Sequence, residues 1–306
     1  MSGEQSSPES AAPPAFVSDR KRGWKFEAGT ELAPGRTAVR RLGGGNRYEA
    51  WLGWDEHLAT TVVLKTLRPG HVDSTRARSS IEREAQTLRA LAHPSIVRSF
   101  AADTDGPQPY LVLEFLDGPR LSTLVRRYGP LTSDQLVPLA LELCSALAYM
   151  HNEGWVHLDV KPQNVIMGAP PRLIDLSIAR RIDEVAQLSG TLGTAAYMAP
   201  EQSVVERLPE IGPWTDVWGL GATLYEAANG FRPFRRGAED EPLPQLAEDP
   251  QAFHGRVPAS VAAVVRACLN RDTVARPRLV DVRNAFEDLM PSARDEALRR
   301  LRRRLR

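Results

Sequence analysis

The sequence predicts an α+β fold of two lobes, a β-rich lobe followed by a helical one. Three observations carry that expectation. Short β-type runs dominate between Val39 and Phe115, at 47–54, 61–66, 96–101 and 110–114, and a single stretch at 79–91 with apolar residues at helical spacing interrupts them. From Leu121 onward the pattern is helical, most clearly over 131–152, 215–229, 259–269 and 280–289, with two short β-type pieces at 165–167 and 172–175. The chain has 306 residues, and single apolar cores stop growing at roughly 250–300, so two cores are expected.

Taken in order, residues 1–20 are rich in Ser, Pro, Glu and Ala and lack the apolar side chains that would repay ordering. Residues 1–36 are therefore read as a disordered tail and a leading segment, in which Trp24 and Phe26 are expected to tether the chain to the small lobe. The β-rich lobe is placed at 37–115 and the helical lobe at 116–291, joined near Glu114–Gly118. The acidic, Pro-rich stretch 235–251 reads as a surface loop between helices. Residues 292–306 are read as a basic C-terminal helix or tail: Leu298, Leu301 and Leu305 would share one stripe among arginines, a pattern suited to packing on the large lobe, or to an anionic membrane, an acidic partner or nucleic acid.

Composition narrows the function classes. With 39 basic and 38 acidic side chains the formal charge is +1, so no whole-molecule field favours nucleic acid or an anionic membrane. Cys144 and Cys268 stand alone in apolar helical patterns, unlike a disulfide scaffold or a zinc site, which fits a reducing, cytoplasmic setting. No window reaches the ~18 uncharged apolar residues of a membrane span. Only four basic residues are lysines, and two of those, Lys65 and Lys161, fall in the motifs that carry chemistry.

The run His157-Leu-Asp159-Val-Lys161-Pro-Gln-Asn164, followed eleven residues later by Asp175-Leu-Ser, sets an acid, a base, an amide and a second acid in the order that metal-assisted phosphoryl transfer requires. Asp159 can accept the proton of a hydroxyl, and Lys161 can reach a moving phosphoryl group. Asn164 and Asp175 offer the hard oxygen ligands that Mg²⁺ prefers.

This ordered set resembles the eukaryotic-type (Hanks-type) protein Ser/Thr kinases, in a soluble, bacterial-like form, from about Leu42 to Pro277. The resemblance extends to Val62-Val-Leu-Lys65, Glu84 on the single helix of the small lobe, His93-Pro-Ser-Ile-Val97, Leu113-Glu-Phe-Leu116, Gly193-Thr-Ala-Ala-Tyr-Met-Ala-Pro-Glu201, Asp216-Val-Trp-Gly-Leu-Gly221 and Arg276-Pro277. It implies a bilobal protein kinase-like fold and transfer of the ATP γ-phosphate to protein hydroxyls. ATP would lie between the lobes with Mg²⁺, Mn²⁺ being a substitute. The same resemblance makes Asp159, Lys161, Lys65 and Glu84 the catalytic group, Lys65 pairing with the phosphates and with Glu84. Leu42, Gly43, Gly45, Ala50, Val63, Glu114, Leu116 and Ile166 become the nucleotide-binding set, and Asn164 and Asp175 the metal ligands. Thr194 would help Lys161 hold Asp159, a pairing typical of Ser/Thr-directed members. Glu201 and Arg276 would form a structural ion pair, and Asp216 would brace the catalytic loop or cap its helix. A protein substrate and autophosphorylation follow from the same family.

Four departures from the family pattern stand out. Tyr48 occupies the third glycine of the loop that begins Leu42-Gly43-Gly44-Gly45, which should loosen or redirect a phosphate clamp. Ala50 and Val63 exchange the usual valine and alanine, conserving pocket volume. Leu158 replaces the arginine that neutralises an activation-loop phosphate, so activity is expected not to depend on such phosphorylation through this position, although Ser189, Thr191 and Thr194 remain modification sites in kind. Asp175-Leu176-Ser177 stands for Asp-Phe-Gly. These departures leave a second reading open, a pseudokinase that serves as a nucleotide-binding or protein-interaction scaffold.

Overall fold

The computed structural model describes residues 23–188, 190–235, 243–254 and 257–290. The N-terminal stretch 1–20, Ser189 and the arginine-rich tail therefore lie outside the described residues. The chain divides into two compact units: one runs through Ile81 and includes Phe100–Leu113, and the other holds Glu82–Ser99 and the residues from Glu114 onward.

The first unit is built on a six-stranded sheet of β1 (Glu31–Ala33), β2 (Arg36–Gly44), β3 (Tyr48–Asp55), β4 (Thr60–Leu67), β5 (Ser99–Asp103) and β6 (Tyr110–Glu114), in the order β1-β2-β3-β4-β6-β5. The meander β1 to β4 is antiparallel, and Ala50 faces Lys65 across it. Because side chains alternate along a strand, Tyr48, Ala50, Val63 and Lys65 share one face. The opposite face carries Trp51, Val62 and Leu64, which form the unit's core with Leu32, Ala33, Ala38 and Val112, packed by Phe26.

Three features depart from expectation. The sheet reaches back to Glu31, ahead of residue 37, and the leading segment is tied on by the Trp24 indole N–H, donated to Leu67 O at 2.7 Å. The expected β-run 96–101 begins only at Ser99, because Ile96 and Val97 pair instead with Leu173, Val97 N–H donating to its carbonyl at 3.0 Å. The helix α1 (Thr75–Ala90) starts earlier than residue 79, where Ser74 accepts the N–H groups of Ala77 and Arg78. Its buried stripe is Ala77, Ile81, Ala85 and Leu88, with Glu84 among them at 1% exposure.

The second unit is helical: α2 (Leu121–Tyr128), α3 (Ser133–Asn152), α4 (Pro200–Ser203), α5 (Pro213–Asn229), α6 (Ala259–Cys268) and α7 (Leu279–Glu287). Helix α3 packs against α5 and α7, and α5 against α6. Helix α5 opens with Pro213, whose missing N–H costs nothing in the first turn, and ends at Gly230 with φ +84°. Short two-stranded pairs, β7 (Trp155–Val156) with β10 (Arg180–Arg181) and β8 (Val165–Ile166) with β9 (Arg172–Leu173), frame the loop between α3 and α4. The stretch 235–251 is not wholly a surface loop. Gln245 is buried and donates to the carbonyls of Ala195 and Met198 at 2.8 and 3.2 Å, fastening that side of the unit.

Candidate active site

The catalytic-loop residues sit between β7 and β8, and their backbone is held from α5. Asp216, 1% exposed, accepts the N–H of His157 and of Leu158, each at 2.8 Å, and meets His151 Nε2 at 2.9 Å. Burial alone would push this carboxyl up; the His151 contact and the His157 N–H outweigh it and leave Asp216 below the usual carboxylate value. Helix α5 is capped elsewhere, where Thr215 Oγ1 accepts the N–H of Gly212 at 3.1 Å. The anchorage keeps Leu158 at φ +67°, a conformation that costs an L-residue roughly 1–2 kcal/mol. Gly219 completes the seat: a Cβ there would stand 2.9 Å from Val160 Cβ, so only glycine lets the loop lie against α5.

On this platform both oxygens of Asp159 are occupied. Lys161 Nζ donates to Oδ2 at 2.5 Å and to Thr194 Oγ1 at 2.6 Å, while Thr194 donates its hydroxyl proton to Oδ1 at 2.8 Å. Asn164 Nδ2 donates to the Asp159 carbonyl and to Oδ2, both at 3.0 Å. With its amide N–H groups spent on Asp159, Asn164 presents its Oδ1 to other groups. The Ile174 N–H binds the Asn164 carbonyl at 2.8 Å, which brings Asp175, at φ +67°, next in the chain. An amide oxygen and a carboxylate are a donor set that fits Mg²⁺. No cluster of three or more His, Cys, Asp or Glu side chains that could hold a metal ion occurs among the described residues.

Thr194 is carried by a segment with its own supports. Gln202, 3% exposed, donates Nε2 to Leu158 O at 2.8 Å and to Leu192 O at 2.9 Å, joining the catalytic loop to the residues before Thr194. Leu158 itself packs in an apolar cluster with Val156, Val185, Leu208 and Ile211, against which Ile178, Leu188 and Leu192 also rest. Farther on, Glu201 and Arg276 form a two-pronged pair at 2.7 and 2.8 Å with both side chains fully buried, and Thr215 donates to the same carboxylate. Tyr197 donates to Glu226 at 2.7 Å beside a cavity of about 600 Å³ lined by Ser122, Arg126, Gln163, Glu226 and Arg232 among others. Burial and the neighbouring Glu226 push Tyr197 up to about 12.

The nucleotide-set residues divide between the two units. In the first, Ala50, Val63 and Lys65 share a face with Tyr48, whose ring centroid lies 4.8 Å from Lys65 Nζ. Leu42 and Gly43 end β2, Gly43 has φ +141°, and Gly45 begins the turn to β3. A Cβ on Gly44 would fall 2.3 Å from Tyr48 O, so this turn demands glycine there. In the second unit, Glu114 pairs with Arg172 at 3.3 Å and gives its N–H to Arg98 O at 2.9 Å. Leu116 and Ile166 are half-buried.

Sequence reasoning passed over His151 and Gln202. His151 closes the apolar helix α3 and Gln202 sits in the short polar helix α4, and nothing in their spacing distinguishes them from surface side chains. Glu49 left no signal beyond a charge among the apolar residues of β3.

A β-sheet unit with one helix, a helical unit, and a loop acid held by Lys and Thr define a protein kinase fold. The protein kinase domain model matches residues 36–286, and the chain belongs to that family. It is 33% identical over 250 residues to the serine/threonine-protein kinase PknB of Mycobacterium tuberculosis, an overlap of 76% of this chain and 39% of that protein. Similarity to PknB of Mycolicibacterium smegmatis is 31% over 276 residues, covering 82% and 43%. A probable serine/threonine-protein kinase, PkwA of Thermomonospora curvata, is 30% identical over 256 residues, covering 81% and 34%. The chain thus spans about two fifths of the length of the curated relatives it matches.

Proposed function

We propose that the chain is an ATP-dependent protein serine/threonine kinase that transfers the γ-phosphoryl group of ATP to a protein hydroxyl. The arrangement of Asp159 carries the reading: its carboxylate is oriented by Lys161, Thr194 and Asn164, and it follows a residue held in a strained conformation by Asp216. A free loop carboxylate would not need three side chains to aim it. Asp159 accepts the proton of the acceptor hydroxyl, and Lys161, already between Asp159 and Thr194, supplies positive charge to the group in flight. Asn164 Oδ1 and the Asp175 carboxylate would hold Mg²⁺, which would supply neutralisation of phosphate charge. Lys65, on the same face as Val63, serves the phosphates. In the first unit the face of Ala50 and Val63 receives the base.

The names of the relatives support a Ser/Thr acceptor, as does the Lys161–Thr194 contact. Leu158 supports activity that does not await a phosphate at that position, since the segment before Thr194 is held there by apolar packing instead. The substrate is a protein, the chain itself being a second acceptor, and the setting cytoplasmic. No helix among the described residues is long and apolar enough to cross a membrane.

The test is transfer of labelled γ-phosphate from Mg-ATP to a generic protein acceptor and to the chain itself, with wild type beside Asp159→Asn and Lys65→Met. Label on Ser or Thr in wild type, lost in both variants, is the expected result. Intact nucleotide binding with no label would overturn catalysis in favour of a nucleotide-binding scaffold.

A further inference from the structure

Two buried acids lie on the core face of β3, Asp55, which Arg36 Nε meets at 2.7 Å, and Glu49. Glu49 lies on β3 beside Trp51, across from Gly44 on β2 and Thr66 on β4, and is 1% exposed. A carboxylate is costly to bury there unless several donors meet it. Oε1 accepts the backbone N–H of Trp24 at 2.8 Å and Oε2 the Trp51 indole at 3.4 Å. The guanidinium groups of Arg68 and Arg41 lie 3.7 and 3.5 Å away.

Arg68, itself 7% exposed, links this acid to the glycine-rich turn. Its Nε donates to Gly45 O at 2.9 Å and its backbone N–H to Arg47 O at 2.8 Å, so it grips the turn at both ends. From the other side the leading segment closes over Glu49. Trp24 is fixed by its indole N–H to Leu67 O, stacks on Phe26 at 5.8 Å, and Phe26 meets Trp51 edge-on at 5.6 Å. At Gly23 a Cβ would stand 2.7 Å from Glu49 Oε1, so a side chain there would push against the carboxylate.

We propose that Gly23–Phe26 is a strap that sets the position of the glycine-rich turn, with Trp24 and Glu49 as positioning residues acting through Arg68. This rests on the reading that the turn holds ATP phosphates, and it names a regulator of that function within this chain. A turn whose backbone must approach phosphate closely binds best when it is already in place, since ordering it on binding subtracts from affinity. The strap does that ordering in advance, and displacing Trp24 would release Glu49, Arg68 and the turn together.

The experiment measures dissociation constants for Mg-ATP and for adenosine, which lacks phosphates, by titration calorimetry on the full chain. Variants are Trp24→Ala, Glu49→Gln and Arg68→Lys, the last keeping charge near Glu49 while losing the Nε contact to Gly45 O. Mg-ATP should weaken roughly tenfold in each, about 1.4 kcal/mol, with adenosine unchanged within about twofold. Trp24→Phe, which retains the ring stack, should recover most of the loss. Equal weakening of both ligands would show general loss of the sheet and overturn the proposal, as would unchanged Mg-ATP affinity in Arg68→Lys, the mildest variant, should the others fail to fold. Wild type that binds no Mg-ATP would overturn the kinase reading along with it, whereas wild-type binding with unaffected variants removes the strap alone.

Discussion

Replacing Asp216 by Asn keeps size and shape and changes two things, the charge and the number of lone pairs facing the catalytic loop. In the wild type Oδ2 takes the His157 N–H and His151 Nε2, and Oδ1 takes the Leu158 N–H. An amide can serve the first pair with its oxygen, but its NH₂ then faces the Leu158 N–H, donor against donor. A hydrogen bond to a charged acceptor contributes roughly 1.5–3 kcal/mol, and a buried N–H left without acceptor costs a similar amount. Leu158 at φ +67° depends on that bond, so the loop has reason to relax. The expected loss of unfolding free energy is about 3 kcal/mol, read from urea titrations. A shift of the loop by about 1 Å would lower kcat roughly 100-fold, since Asp159 is the next residue.

The acid limb of stability gives a second readout for the same variant. Asp216 titrates below its unfolded value of 3.8. A depressed carboxyl adds stability that is complete above the unfolded value and is lost as pH falls through the folded one. Wild type should therefore lose, below about pH 4, a share of stability that Asp216→Asn lacks at every pH, and the two curves should converge on acidification. An Asp216→Asn protein within about 0.5 kcal/mol of wild type, with kcat within about twofold, would refute the account of the loop.

Two further outcomes follow from buried groups. Glu201→Gln strips the fully buried Arg276 of its counter-charge and should destabilise by about 3–5 kcal/mol; adding Arg276→Met should cost far less than the sum of the single changes, and strict additivity in a double-mutant cycle would show that the pair is not coupled. Burial pushes the Cys144 thiol up to about 12 and raises Cys268 as well, so neither should react with a thiol reagent at pH 8 until denaturant is added, when both should; labelling of the native protein would contradict their burial.

Much of the fold was legible because long elements keep their period. The alternation of β3 and β4 and the apolar pattern of α3 and α5 mark them within a few residues of their observed ends. β2 was missed because its residues are mostly exposed and only Ala38 is buried, so the strand has no apolar alternation to show. β1 is three residues long and exists only by pairing with β2. Ile96 and Val97 look like strand, and do pair, but with Leu173, a partner no local pattern reveals. Gln245 sits in a polar, Pro-rich stretch and is buried only because two carbonyls elsewhere in the chain need its amide.

For the site, the sequence alone determined which chemical groups are present and in what order, because residue type and spacing are covalent facts. Asp159, Lys161 and Asn164 lie within one short loop, so their nearness was set by the chain itself. Spacing alone does not show what aims them, and the contacts that do so belong to the tertiary structure. Thr194 reaches Asp159 from 35 residues away, Asp216 reaches the loop backbone from 58 and 59, and Arg276 meets Glu201 across 75. The leading segment reaches the glycine-rich turn through a carboxylate 25 residues on. A hydrogen bond depends on distances of about 3 Å, and positions far apart in sequence acquire such distances only when packing has closed the loops between them.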